Sequence, residues 1–382
     1  YKATGEYVKS IQYYEECLGM EKELYGDTHA DVAITLSDLG NVHNVLGEHK
    51  KSIVYYEEAL QIRRQAHDGP HPSVASTLYS LGNLHKATGE YVKSIQCYEE
   101  CLGIEKRSYG DTHADVAITL ADLGNVHSVL GEREKSIEYY EEALQIRGQI
   151  HDGPHPDVAF ILYILAIAYY SSEQPQKSTT YYEEALSVYQ QLSENDPENT
   201  YASTRASIAH NLACMYHVEA LSAMQKDQDQ TAQEYLTKAK DTFELAIAAN
   251  NPPTASLCTE YANFLLATEQ IEQACQYLEQ TIATGDNEDE LGYNMLERET
   301  VTPALRDKIS QDNPVSLRAM DYAYYLLIHH YEDFQTVGIN LDKPREAYLA
   351  DFQEAVKKRS GQEGKEQEDE IARYLLKSLE QE

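Results

Sequence analysis

Residues 1–48, YKATGEYVKSIQYYEECLGMEKELYGDTHADVAITLSDLGNVHNVLGE, return at 85–132 as HKATGEYVKSIQCYEECLGIEKRSYGDTHADVAITLADLGNVHSVLGE, with 41 of 48 positions identical. A half-offset copy lies between them. Lys9, Lys51, Lys93, Lys135 and Lys177 therefore advance by 42 residues, as do the glutamate pairs beginning at Glu15, Glu57, Glu99, Glu141 and Glu183. A fixed period of this size marks stacked supersecondary units, each burying its apolar face only against its neighbours. The expected fold is all-α, and the expected function is not catalysis.

Each 42-residue unit reads as two amphipathic helices. Val32, Leu36, Leu39, Val42 and Leu46 recur at three- and four-residue steps, the spacing of one helix face. Gly47-Glu48 interrupts the run, and Ile53, Tyr56, Ala59, Leu60 and Ile62 form a second stripe. Links between units alternate between YGDTH (25–29, 109–113) and HDGPH (67–71, 151–155). Pro72 and Pro156 suit a first helical turn, where a missing N–H leaves no bond unmade, and Asp31, Asp115 and Asp157 suit the positive end of a helix dipole. His67, His71, His151 and His155 in the links read as turn and capping groups.

The pattern Leu36-x-x-Leu39-Gly40-x-x-His43, then Gly47, Ser52, Tyr56 and Ala59, resembles the tetratricopeptide consensus of large, large, small, aromatic, then Gly, small, aromatic, small. The 42-residue period and the openings His71-Pro72-Ser73-Val74-Ala75 and His155-Pro156-Asp157-Val158-Ala159 resemble the kinesin light chain subtype. The LGN tripeptides at 39–41, 81–83 and 123–125 are also similar to those of the Pins-type polarity adaptors, whose period is shorter. The resemblance implies a right-handed α-solenoid of stacked antiparallel helix pairs. It spans 1–192 as a regular array with a truncated first repeat.

Past that point the register loosens. SENDPENT (193–200) reads as a polar hinge, opening a stretch of divergent, long-armed pairs over 193–285. There, 201–224 and 230–249 form one hairpin with Ala213 and Ala239 at the small positions, and 254–283 forms a more regular one. The last stretch, 286–382, holds the acidic loop of GDNEDELG (285–292), a degenerate pair (314–334 and 343–358) and a charged final helix. Ile371, Leu375 and Leu379 share a face of that helix, which is expected to cap the exposed apolar end of the stack. With Tyr1 standing where a helix is already under way, the chain reads as a fragment.

The net charge is −33, divided as −12 over 1–168 and −21 over 169–382. Such a surface repels nucleic acid and anionic membranes, whose binding depends on lysine and arginine. No apolar run approaches the roughly 18 residues of a membrane span. Six cysteines show no metal-ligand spacing. Cys17 and Cys101 occupy the position held elsewhere by Ala59, Ala143 and Ala185, so they read as small packing groups in a reducing, cytoplasmic compartment.

No catalytic constellation recurs. GEYVKS (5–10, 89–94) ends like a phosphate-binding loop but lacks the second glycine and the preceding strand. His43, His85 and His127 fall one repeat apart, too far to share a metal, and fill the aromatic slot of the consensus. No metal and no cofactor is expected.

In the resembled family the first helix of each unit lines an inner groove. Its inward positions are Ile34, Ser37, Asp38, Asn41 and Asn44 in one unit, then Ser76, Tyr79, Ser80, Asn83 and Lys86. The next unit supplies Ile118, Ala121, Asp122, Asn125 and Ser128, followed by Phe160, Tyr163, Ile164 and Ile167. Asn41, Asn83 and Asn125 match the groove asparagine of chaperone-binding members; an amide both donates to and accepts from a peptide backbone. The asparagine used by kinesin light chains is replaced by Asp38, Ser80, Asp122 and Ile164, and only Asn211 keeps it. Two groove carboxylates favour a ligand carrying lysine or arginine. The expectation is a non-enzymatic scaffold or adaptor that holds a protein or peptide segment. The alternatives are a structural subunit of a ciliary, cytoskeletal or other large assembly, and the sensor array of a larger signalling receptor.

Overall fold

The computed structural model describes residues 2–67, 69–194, 200–249, 253–283, 319–336, 339, 341, 343–359 and 366–379. The acidic loop expected at 285–292, most of the hinge at 193–200 and the start of the helix expected at 314 lie outside them. The described residues form helices and turns with no strand. Two compact units divide the chain, Tyr1–Gln174 and Pro175–Glu382.

The first unit contains α1 (Lys2–Tyr25), α2 (Ala30–Val45), α3 (His49–Ala66), α4 (Pro72–Ala87), α5 (Tyr91–Tyr109), α6 (Ala114–Val129), α7 (Arg133–Ile150) and α8 (Pro156–Ser171). The hairpins α2–α3, α4–α5 and α6–α7 share one construction. Gly40, Gly82 and Gly124 sit mid-helix, and an added Cβ would meet the ring of Tyr56, Tyr98 or Tyr140 at 2.6–2.8 Å. The missing side chain lets the tyrosine lie directly on the partner helix. Beside each contact a buried serine hydroxyl donates to the glycine carbonyl: Ser52 to Gly40 at 2.7 Å, Ser94 to Gly82 at 2.8 Å and Ser136 to Gly124 at 2.9 Å.

Tight turns close these hairpins. Gly47, Gly89 and Gly131 take φ values of 75–77°, a left-handed conformation that ends a helix without strain only for glycine. Each A-type helix (α2, α4, α6, α8) begins with a histidine at its N-cap. Nδ1 of His29, His71, His113 and His155 accepts from the backbone N–H two residues on, at 3.1–3.3 Å. His71 and His155 thus cap helices, with His67 and His151 stacked on them at 3.5 and 3.4 Å between ring centroids. His43, His85 and His127 are buried, and His43 and His127 stack on Tyr55 and Tyr139.

Successive hairpins are tied across a 36-residue step. Lys22 pairs with Glu58 at 2.8 Å, Arg64 with Glu100 at 2.6 Å and Lys106 with Glu142 at 2.7 Å. Such exposed pairs contribute about 0–1 kcal/mol each, so they fix register more than they add stability. Burial of apolar side chains stabilises the stack far more: Val32, Leu36, Leu39, Leu120 and Leu123 are fully buried, as are Ala59, Cys101 and Ala143 at the shared small position.

The second unit contains α9 (Pro175–Glu194), α10 (Ala202–Gln225), α11 (Asp229–Ala249), α12 (Ala255–Ala267), α13 (Ile271–Ala283), α14 (Ala319–His329), α15 (Tyr331–Thr336), α16 (Arg345–Arg359) and α17 (Glu366–Leu379). The long-armed hairpin is α10–α11, with Ala213 and Ala239 fully buried. Asp227 and Glu269 take positive φ where the regular repeats place glycine. Leu375 and Leu379 of α17 are buried, and that helix packs on α14 and α16.

The glycine contacts set a measurable expectation. Gly82→Ala should shift the urea midpoint downward by an equivalent of about 1–3 kcal/mol through overpacking against Tyr98. Gly19→Ala, where nothing lies within 4 Å of the added Cβ, should be neutral or raise stability by up to about 1 kcal/mol.

Candidate functional site

The A-type helices of the first unit carry the residues expected to meet a partner. Their hairpin partners pre-order several of them. The hydroxyl of Tyr56 donates to Asn41 Oδ1 at 2.5 Å, Tyr98 to Asn83 Oδ1 at 2.8 Å and Tyr140 to Asn125 Oδ1 at 2.7 Å. A buried tyrosine needs an acceptor for its hydroxyl, and the amide oxygen supplies it. Burial raises the pKa of all three phenols, that of Tyr140 to about 12, so each remains a donor. The sequence pattern alone leaves both ends of each asparagine amide open to a ligand. With Oδ1 committed to the fold, the NH2 end is the part turned away from the tyrosine.

The groove carboxylates also differ from the simple expectation. Asp122 accepts from the Tyr79 hydroxyl and from Lys86 Nζ, both at 2.7 Å, and its side chain is only 14% exposed. Its charge is already matched within the fold, and burial together with Asp122 raises the Tyr79 pKa. Asp38 has no hydrogen-bonded partner among the described residues. Burial raises its pKa, with the Arg63 guanidinium pulling the other way. Of the two acids read as attracting a cation, only Asp38 keeps a carboxylate with no hydrogen-bonded cation, Arg63 acting on it from a distance.

The remaining positions divide by exposure. Ser37 is buried, its hydroxyl donating to the Ala33 carbonyl at 2.9 Å, so it presents little surface. Ser80 is half-buried and donates to the Ser76 carbonyl. Asn44 is exposed, with Oδ1 3.0 Å from His49 Nδ1, and Ser128, also exposed, holds the same repeat position two units on, in α6. Tyr163 is half-buried on α8. Ile34, Ile118 and Phe160, at one repeat position, are 54%, 39% and 50% exposed. Asn211 lies on α10 in the second unit, its Nδ2 3.4 Å from the Tyr182 hydroxyl.

Two features escaped the sequence reading. In the second unit His210 and Cys214, one turn apart on α10, meet Glu260 of α12, with their donor atoms within 4.8 Å of one another. Those three types could hold a metal. As arranged they bond through one oxygen, Cys214 Sγ donating to Glu260 Oε2 at 2.8 Å and His210 Nε2 sharing that oxygen, while Glu260 Oε1 is buried without a hydrogen-bond partner. The His-x-x-x-Cys spacing was legible; the glutamate, from a different hairpin, was not. The second feature is a pocket of about 180 Å³ between α4 and α6, lined by Tyr79, Ile118 and Glu105 among others. Glu105 falls on α5, one of the B-type helices (α1, α3, α5, α7) that precede each A-type helix, and carried no signal as a groove residue.

These hairpins, tied by one glycine–tyrosine contact and stacked at a constant step, define an α-solenoid of helix-pair repeats. The tetratricopeptide repeat pattern matches residues 1–65, 31–106, 73–147 and 115–191, and the chain belongs to that family. Its repeats generally serve as protein-interaction scaffolds. Among solved structures, BtubC (BKLC) from P. vanneervenii is 21% identical over 62% of this chain and 90% of that one, with a TM-score of 0.48. A putative kinesin light chain from Podosopora anserina with nearly identical TPR-like repeats is 18% identical over 56% and 96%, with a TM-score of 0.44. PilF of Pseudomonas aeruginosa is 16% identical over 67% and 93%, with a TM-score of 0.45. No curated protein matches the chain in sequence.

Burial at α10 makes stability depend on pH. His217 is 4% exposed, and desolvation holds its pKa near 4 against an ordinary 6.5 despite the opposing pull of Glu260. The unfolded chain therefore binds the extra proton first. This contribution is complete above the ordinary value and is lost as pH falls toward 4, by up to about 3 kcal/mol. Urea titrations of His217→Phe across that window should show a flatter pH dependence than the unchanged protein.

Proposed function

We propose that the first unit is a protein-interaction scaffold that holds an extended segment of a partner along the face formed by α2, α4, α6 and α8. The observation that carries this reading is the tyrosine–asparagine ladder. Three amides are fixed in one orientation by buried hydroxyls, so their NH2 groups repeat at every hairpin as ready donors for peptide carbonyls. Preorganisation of this kind reduces the ordering cost of binding. The exposed Ile34, Ile118 and Phe160 add apolar contact beside the ladder, and the unmatched Asp38 favours a basic partner.

The period of 42 residues and the two HPxVA openings fit a kinesin light chain-like subtype. All six cysteines are free thiols, four of them buried in helix packing, which fits a reducing, cytoplasmic setting. No described helix is long and apolar enough to cross a membrane. The role is binding, not catalysis.

Peptides selected by the intact chain from a displayed library provide the test. Replacing Asn41, Asn83 and Asn125 together with alanine should weaken their binding by about tenfold or more, since each lost net hydrogen bond is worth about 0.5–1.5 kcal/mol. Calorimetric titration reads the affinity. Unchanged affinity in a variant that remains helical removes the ladder from the interaction.

A further inference from the structure

The junctions between successive hairpins alternate in a way the 42-residue period hides. The residue near the end of each B-type helix that faces the next A-type helix is Glu21, Arg63, Glu105 and Arg147 in turn. At the two arginine junctions the guanidinium is held by the following helix. Arg63 Nη1 donates to the Ser73 carbonyl at 3.2 Å and to the Thr77 hydroxyl. Arg147 Nη1 lies 3.1 Å from Asp157 Oδ2.

The α5–α6 junction combines the threonine of one arginine junction with the aspartate of the other, without the cation. Thr119 stands where Thr77 does and Asp115 where Asp157 does. The carboxylate of Glu105 is 6% exposed and lines the 180 Å³ pocket together with Asp115. Its Oε2 accepts from Thr119 at 2.8 Å, and no lysine or arginine pairs with it among the described residues. His113 has its Nδ1 committed to the Asp115 N–H, and that ring nitrogen also lies 3.6 Å from Asp115 Oδ2. Burial raises the Glu105 pKa, and Asp115 adds to the rise. A carboxylate placed this deep is disfavoured unless a counter-charge reaches it.

The pocket walls suit the stem of a long cationic side chain. Tyr79 and Tyr109 bring aromatic rings, which attract a cation and pack on a planar guanidinium, and Ile118 offers apolar surface at the mouth. The first junction repeats the arrangement in part: Glu21 Oε2 is buried with no hydrogen-bond partner, and Tyr25 stacks on His29 as Tyr109 stacks on His113.

We propose that the α4–α5–α6 pocket is an anchor for an arginine side chain of the bound segment, with Glu105 and Asp115 receiving its guanidinium where Arg63 and Arg147 serve their own junctions. This rests on the scaffold reading above and names the chemistry that one pocket selects. The pocket offers the guanidinium two carboxylates, and the neighbouring junctions hold their own guanidinium at the repeat position of Glu105.

The test uses the full chain and a blocked pentapeptide, acetyl-Ala-Ala-Arg-Ala-Ala-amide, beside its citrulline counterpart, titrated calorimetrically to about 10 mM. Saturable binding of the arginine peptide is expected, weakened by about tenfold or more by the neutral citrulline, because the cation that pairs with the carboxylates is lost while the shape is kept. Glu105→Gln, which preserves shape, should produce a loss of similar size. Glu105→Arg, the residue of the sister junctions, should abolish binding by filling the pocket from within. Circular dichroism of both variants confirms the helical fold; if Glu105→Arg does not fold, Glu105→Gln carries the test. Equal binding of arginine and citrulline peptides, no saturation, or a folded Glu105→Gln protein with unchanged affinity would each overturn the anchor. If the Asn41/Asn83/Asn125 variant loses the arginine peptide while Glu105→Gln retains it, the scaffold face stands and the pocket falls.

Discussion

Three hairpins of the first unit, α2–α3, α4–α5 and α6–α7, depend on a close approach that glycine permits. Gly40, Gly82 and Gly124 let a tyrosine ring from the partner helix lie where a Cβ would be. That approach sets the helix separation and brings the serine hydroxyl onto the glycine carbonyl. It also carries the tyrosine hydroxyl through to the far side of the hairpin, where the asparagine amide receives it. One small residue thus links core packing to the orientation of surface amides. Because each hairpin is built identically, the same geometry appears at three successive positions, and the surface inherits the period of the core.

Charge is handled by a second, separate rule. Although the chain is strongly acidic, many of its acids on the first unit have partners one hairpin away. Lys22, Arg64 and Lys106 reach forward to Glu58, Glu100 and Glu142, and Lys86 does the same for Asp122. What remains unmatched stands out against this background. Asp38 is one such group and the buried Glu105 is another. Neither carboxylate has a hydrogen-bonded lysine or arginine among the described residues, which is why the proposed recognition turns on them and not on the far more numerous exposed acids.

Much of this was legible before any coordinates. The repeat, the two helices per unit and the glycine-ended turns follow from spacing, since helix periodicity and turn chemistry are local, and the packing role of the histidine ladder follows from its place in the resembled consensus. The asparagine ladder was legible as a pattern, but its orientation was not. Tyr56 lies 15 residues beyond Asn41 and bonds it only because Gly40 brings their helices into contact. The pairing of Asp122 was hidden for a similar reason, its partners Tyr79 and Lys86 coming from the preceding unit. Glu105 was missed because consensus reasoning confines recognition to the A-type helices. Its significance emerges from comparison with Arg63 and Arg147, an alternation that a search for sameness at 42 residues passes over.

That alternation means the chain's natural module is a doublet. Residues 1–48 and 85–132 match at 41 of 48 positions across an offset of two hairpins, and junctions of like type recur at the same offset. Misaligned recombination between such copies would insert or remove a whole doublet, joining glutamate-type seams to arginine-type seams in the order already present. Array length could then drift through the genome's ordinary copying errors while every seam between neighbours stayed chemically intact.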